Sequence, residues 1–200
     1  MDAFETLMSE HRAIERVLIG LSNFAEQVRR QEEMNGRKDL AQFVSFIRGF
    51  ADARHHGKEE EILFEAMVDY GFPRDGGPIK VMLREHDEGR AFVGILSALA
   101  EQADPWSDED RQLLVKAASQ YVDLLSRHIQ KEDNILYPMA ESRLPPETLA
   151  QVNEKCERFE EAQAATPECA RLQRLGEDLI ARFAPGAPNE GMQDPLRRCA

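Results

Sequence analysis

The chain has 200 residues, enough for one ordinary domain or a bundle with an extension, and too few for two large domains. Charged residues make up 31% and hydrophobic residues 42%, with only 10 Pro and 12 Gly, which excludes collagen-like, low-complexity and wholly disordered chains. Acidic residues outnumber basic ones 37 to 25, a formal charge of −12, which argues against a free-standing nucleic-acid binder or a polybasic membrane module.

The apolar periodicity is helical nearly throughout, and no stretch alternates long enough to suggest a strand. The first predicted helix carries Phe4, Leu7, Ile14, Leu18, Leu21, Ala25 and Val28, and His11 fills the one gap in that seam. After Asn35-Gly36 a second shows Leu40, Val44, Ile47, Ala51, His55, Glu59, Ile62 and Ala66, and stops at Tyr70-Gly71-Phe72-Pro73. A third carries Ile79, Met82, His86, Val93, Leu96 and Ala100 and ends before Asp104-Pro105. Ser107 is suited to cap the fourth, with Asp108, Glu109 and Asp110 at the positive end of its dipole. Its seam reads Leu114, Ala117, Tyr121, Leu125, His128, Glu132, Ile135 and Met139, and Pro138 is expected to kink or loosen its last turn. These elements predict an all-α, up-down-up-down four-helix bundle over residues 1–142. One or two shorter helices, about 146–163 and 167–183, form an extension over 143–185 that could cap the bundle or make a homodimer contact, and 186–200 is expected to be disordered.

An internal echo supports this division. Glu10-His11, with Leu21-Ser22-x-x-Ala25-Glu26-Gln27 after it, is matched by Glu85-His86 and Leu96-Ser97-x-x-Ala100-Glu101-Gln102, 75 residues on. Arg54-His55-x-x-Lys58-Glu59-x-x-Ile62-Leu63-Phe64 is matched by Arg127-His128-x-x-Lys131-Glu132-x-x-Ile135-Leu136-Tyr137, 73 residues on. One helical hairpin is thus present in two copies, too few for a solenoid.

Four of the five histidines, His11, His55, His86 and His128, sit on the apolar seams, one per helix. His55 and His128 are each followed four residues later by a glutamate, Glu59 and Glu132, which places each pair on one helix face. A buried carboxylate is costly unless it is paired or bound to a metal, and imidazole with carboxylate suits iron, manganese or zinc. Six ligands are too many for one tetrahedral zinc. They suit two five- or six-coordinate irons sharing both glutamates and an oxo or hydroxo group, with an open position for a small molecule. His56 has Asp52, Glu60 and Ser45 as helical neighbours and is read as lying on a polar face outside the site; Glu60 and Glu61 are read as solvated, and Tyr121 as core.

The pattern resembles the hemerythrin-like, or HHE cation-binding, domain. The residues that carry it are Glu10-His11, His55 through Glu60 with Ile62-Leu63-Phe64, Arg84-Glu85-His86-Asp87, and His128 through Asp133 with Leu136-Tyr137-Pro138, spanning about residues 1–142. The resemblance implies a four-helix bundle with a carboxylate-bridged non-haem di-iron site, taking His11, His55 and Glu59 from one hairpin and His86, His128 and Glu132 from the other. Zinc or manganese could substitute for iron. The oxygen-carrying members use a fifth histidine, two on the third helix at i and i+4; here Arg90 and Met82 stand at those positions. Glu15, four residues after His11, could add a ligand, although a surface position suits it better. A carboxylate- or water-filled position would bring the site nearer the bacterial members linked to sensing, to nitric-oxide or peroxide chemistry, or to iron handling.

The function expected is therefore metal and small-ligand binding: dioxygen, nitric oxide or peroxide as ligand, or iron storage and delivery. An enzyme detoxifying peroxide or nitric oxide at the same centre is one alternative, and a metal-free helical interaction module another. HExxH, GxSxG, GxGxxG and Walker motifs are absent. No apolar run approaches the ~20 residues of a membrane span, and Met1-Asp2-Ala3-Phe4-Glu5 lacks signal-peptide features. Cys156, Cys169 and Cys199 form no CxxC pair. These features fit a cytoplasmic protein.

Overall fold

A computed structural model describes residues 2–102 and 105–186, and among them every regular element is helical. α1 (Ala3–Arg30) starts on Asp2, whose carboxylate accepts from the Glu5 N–H. The second rod changes helix type along its length: α2 (Gly36–Phe46), the π-helical stretches π1 (Ile47–His56) and π2 (Glu59–Leu63), then α3 (Phe64–Asp69). The third is α4 (Gly77–Glu101). The fourth runs from α5 (Asp108–Lys131) through π3 (Glu132–Leu136) into α6 (Tyr137–Arg143). Ser107 and Asp110 close a reciprocal capping box at its start. Of the one or two further helices expected from the sequence, two are present, α7 (Pro146–Ala164) and α8 (Pro167–Phe183). Of the tail expected to be disordered, residues 187–200 lie outside the described residues.

α5 packs against both α1 and α4, and α4 against α2. The remaining side, between α1 and α2, is covered by α8, which contacts both. Phe183 of α8 meets Phe24 at 5.6 Å and Phe43 at 5.2 Å between ring centroids. α8 approaches π1 so closely that a Cβ on Gly49 would fall 2.7 Å from Leu172 Cδ1. α7 lies against α1 and π2, and its Asn153 side chain accepts from the Ala3 N–H at 2.8 Å.

The apolar interior is divided in two. One cluster holds Leu18, Phe24, Phe43, Phe50, Leu96 and Leu125 with Leu179 and Phe183 of α8; the other holds Phe4, Leu7, Leu63, Phe64, Met67 and Tyr137 with Val152 and Cys156 of α7. On each of the four rods the histidine falls between the two clusters, so a polar layer crosses the middle of the bundle.

The π stretches correct two expectations. Loosening at Pro138 is seen as π3, but π2 occupies the equivalent place 73 residues earlier without a proline, so the proline is not its sole cause. Each of these stretches begins on a seam glutamate, Glu59 or Glu132. A π turn inserts an extra residue and rotates the rest of the rod about its axis. Ile135, expected on the seam, is therefore 53% exposed, while Leu136 and Ala140 take the buried positions. Leu63 and Met67 do the same in the second rod.

Since Phe183 joins α8 to the larger cluster, Phe183→Ala is expected to cost about 3 kcal/mol of unfolding free energy. Urea denaturation would measure it, and a loss below about 1 kcal/mol would mean that α8 lies outside the cooperative core.

Candidate metal centre

The polar layer is built from side chains of all four rods. α1 supplies His11, π1 supplies His55 and His56, π2 supplies Glu59, α4 supplies His86, α5 supplies His128 and π3 supplies Glu132. All seven are buried. Donor atoms of His11, His55, Glu59 and Glu132 lie within 4.8 Å of one another, and so do those of His56, Glu59, His86 and His128. Glu59 belongs to both groups. Glu132 touches both ends as well, with one oxygen 3.2 Å from His11 Nε2 and the other 3.1 Å from His128 Nε2. The six residues singled out from sequence are thus brought together. Glu15 is not: it stays half-buried and pairs with Arg12 Nε at 3.1 Å.

Every histidine has Nδ1 against a carboxylate. His55 faces Glu10 at 2.9 Å and His128 faces Glu85 at 3.0 Å, in each case the acid preceding the single histidine of the neighbouring helix. His11 faces Asp133 at 2.7 Å and His86 faces Glu60 at 2.6 Å, the acids next after the two central glutamates. His56 faces Asp52 at 3.3 Å. Since an ionised carboxylate only accepts, Nδ1 carries the proton and Nε2 is left to point inward, the arrangement that orients metal-binding imidazoles. Aromatic rings back two of them. Tyr137 stacks on His11 at 5.6 Å, and Phe64, its equivalent in the other repeat, stacks on His86 at 6.0 Å. The Tyr137 hydroxyl also donates to Glu59 Oε1 at 2.6 Å.

Sequence reasoning missed several of these groups. His56 is inside the layer rather than on a polar face, because π1 turns its two consecutive histidines inward together. Its ring lies parallel to that of His86, 3.8 Å away at 12°. Rings so stacked cannot both aim an in-plane lone pair at one ion, so His56 supports His86 in this arrangement. Glu60 is not merely solvated, being bonded to His86 and to Arg90 at 2.7 Å. The duplicated Glu-His pairs and the acids after Glu59 and Glu132 were visible in the sequence, but not which histidine each would meet. Tyr121 is buried in the larger apolar cluster, as read from the sequence.

The protein-only arrangement leaves polar atoms without partners. His55 Nε2, Glu59 Oε2 and both Glu132 oxygens are buried without a fixed hydrogen bond. Groups of this kind cost several kcal/mol when buried unpaired. His86 and His128 present Nε2 to Nε2 at 3.0 Å, so a proton or a cation must stand between them. Burial and the neighbouring Glu132 push the Glu59 carboxyl well above the usual range. Burial opposes ionisation of Glu132 too, yet His128 and His11 hold it well below. Burial lowers the affinity of His11 and His128 for protons, but Asp133 and Glu132 raise His11 to about 9. Glu132 and Glu85 raise His128 to about 10. Burial and the adjacent His11 depress His55 to about 4. A cluster that keeps protons between inward-facing nitrogens and carboxylates is one in which metal cations can replace them, and the imidazole–carboxylate set fits iron, manganese or zinc. A cavity of 370 Å³, lined by Asp52, His56, His86, Arg90 and Tyr121 among others, adjoins the layer at its His56–His86 end.

The family model for the hemerythrin HHE cation binding domain matches residues 2–140. The chain is similar to a probable iron-sulfur cluster repair protein of Haemophilus influenzae, 33% identical over 88 residues, which are 43% of this chain and 40% of the relative. It is similar also to the iron-sulfur cluster repair protein YtfE of Salmonella paratyphi B and of Salmonella newport, 34% identical over 89 residues with the same coverage. The matches thus span two fifths of the length of these relatives. No solved structure matches. No helix among the described residues is long and apolar enough to cross a membrane.

Because His11 and His128 hold protons at neutral pH in the metal-free protein, metal binding is expected to release protons and to tighten as pH rises from about 6 to about 8. Calorimetry of iron(II) binding in buffers of different ionisation enthalpy measures the release, and a pH-independent affinity would contradict it.

Proposed function

The chain belongs to the hemerythrin HHE cation-binding family, and from that premise we propose that it holds a non-haem di-iron centre in the polar layer and serves iron handling in the repair of iron–sulfur clusters. The observation that carries the metal reading is the set of inward imidazole nitrogens around two buried glutamates, one oxygen of which, on Glu59, is held by Tyr137. His11 and His55 would hold one ion, His86 and His128 the other, with Glu59 and Glu132 between them. Bound iron would supply a redox-active Lewis acid and an exchangeable cation. The protein's own part is orientation and exclusion of water. Asp133, Glu10, Glu60 and Glu85 fix the imidazole tautomers, Tyr137 anchors one oxygen of Glu59, and the apolar clusters above and below keep the layer dry. The link to cluster repair is supported by the relatives' names.

A second reading, sensing or detoxification of nitric oxide or peroxide at the same centre, is favoured by the cavity beside His56 and His86, which gives a small molecule room next to one ion. The metal-free module is the weaker reading, because it leaves His55 Nε2 and Glu59 Oε2 buried without partners.

Protein from iron-replete cells is expected to carry about two irons per chain with near-ultraviolet oxo-iron absorption. His55→Ala and Glu132→Ala should each lose at least half of the iron while the helical circular dichroism persists. Metal-free protein unaffected by His55→Ala would exclude the reading. Incubating the iron-loaded protein with a cluster-depleted iron–sulfur protein, thiol and sulfide separates the two roles. Faster cluster recovery than with free iron supports handling, whereas peroxide turnover without iron transfer supports detoxification.

A further inference from the structure

The duplicated segment Arg54-His55-x-x-Lys58-Glu59 and Arg127-His128-x-x-Lys131-Glu132 places the same residues in two surroundings. In each copy the lysine donates to the acid behind the histidine: Lys58 to Glu10 behind His55, Lys131 to Glu85 behind His128. In the second copy this line ends at the surface. The Lys131 side chain is 34% exposed, and Arg127 lies outside, donating to the Asp123 carbonyl. In the first copy Lys58 and Arg54 are buried.

The difference is α7. Its Glu160 accepts from Lys58 Nζ at 2.5 Å and from Arg54, through Nε at 3.3 Å and through Nη2. Its Phe159 ring lies 5.9 Å from the Lys58 ammonium. Arg54 Nε is also 3.6 Å from Glu10. Two cations and two carboxylates are therefore enclosed together and are neutral only as a foursome. Without the Glu160 charge, Lys58 and Arg54 would weigh more heavily on Glu10. Glu10 would then attract the His55 Nδ1–H less, and an excess positive charge would sit beside a site for cations. Both effects loosen a metal held by His55.

We propose that Glu160 of the C-terminal extension is a positioning residue of the metal centre, acting through Lys58, Arg54 and Glu10 on His55, so that α7 secures the ion held by His11 and His55 and leaves the ion held by His86 and His128 untouched. This rests on the di-iron reading above.

The test is the rate of iron release from the full-length, iron(II)-loaded protein into a ferrous chelator. Glu160→Gln is expected to speed release of one of the two ions about tenfold, the low end of the effect of removing an outer partner of a metal-bound histidine. The other ion should leave at the wild-type rate. Glu160→Asp, which keeps the charge but withdraws the carboxylate, should fall between. Val152→Ala, which loosens α7 packing without touching charge, should leave both rates unchanged. Wild-type rates in a folded Glu160→Gln overturn the proposal, as does equal acceleration of both ions, or the same acceleration from Val152→Ala. If Glu160→Gln does not fold, unchanged rates in Glu160→Asp overturn it instead. A wild-type chain that binds no iron removes the di-iron reading and this proposal together, whereas two bound irons with Glu160→Gln unchanged remove this proposal alone.

Discussion

Two glutamates sit at the centre of the bundle, Glu59 and Glu132, fully buried and with three of their four oxygens without a fixed hydrogen bond. An uncompensated pair of that kind would drive a helical bundle apart, since each charge loses several kcal/mol of hydration on burial. The layer around them is arranged to answer that cost. Imidazoles face inward, acids behind the imidazoles fix their tautomers, and apolar clusters on either side exclude the water that would otherwise screen the charges. On the proposed reading, cations would take the place of the protons shared in this layer, and the same atoms would serve as ligands.

The layer's symmetry comes from duplication of a helical hairpin, and its asymmetry from two local departures. Ile129 stands where the first repeat has His56, so only one end of the layer has a second imidazole stacked on its helix-α4 histidine, and the cavity opens at that end. α7 lies against α1 and π2 of the first repeat, where Lys58 and Arg54 are buried, while Lys131 and Arg127 remain near or at the surface. Equal sequence segments thus acquire unequal environments. α7 and α8 both lie beyond residues 2–140, the part matched by the family model. What they add to the bundle therefore lies outside the part matched by the family model.

The helical seams were legible because burial on one face of an α-helix repeats at three and four residues, and α1 and α4 obey that rule from end to end. The two His-x-x-x-Glu pairs and the single histidines of the other helices were legible for the same reason. Ile135 and His56 were not. Both lie where the rod is π-helical, and an α-helical wheel assigns each to the opposite face from the one it occupies. Nothing in a linear pattern announces such a turn, because it is stabilised by what the helix packs against.

The acids behind the histidines fall between these cases. Glu10, Glu60, Glu85 and Asp133 stand beside candidate ligands in sequence, yet each serves a histidine on another helix, two of them across the boundary between the repeats. Glu160 carries no mark at all, since it is one of many acids on an amphipathic helix and meets Lys58 across a sequence separation of 102 residues. The sequence alone determined the helices, their duplication and the chemistry available on their faces, for these depend on residue type and local spacing. Which nitrogen faces which carboxylate, which repeat is covered, and where the layer opens were decided only by tertiary packing, because those relations hold between atoms that the chain order keeps apart.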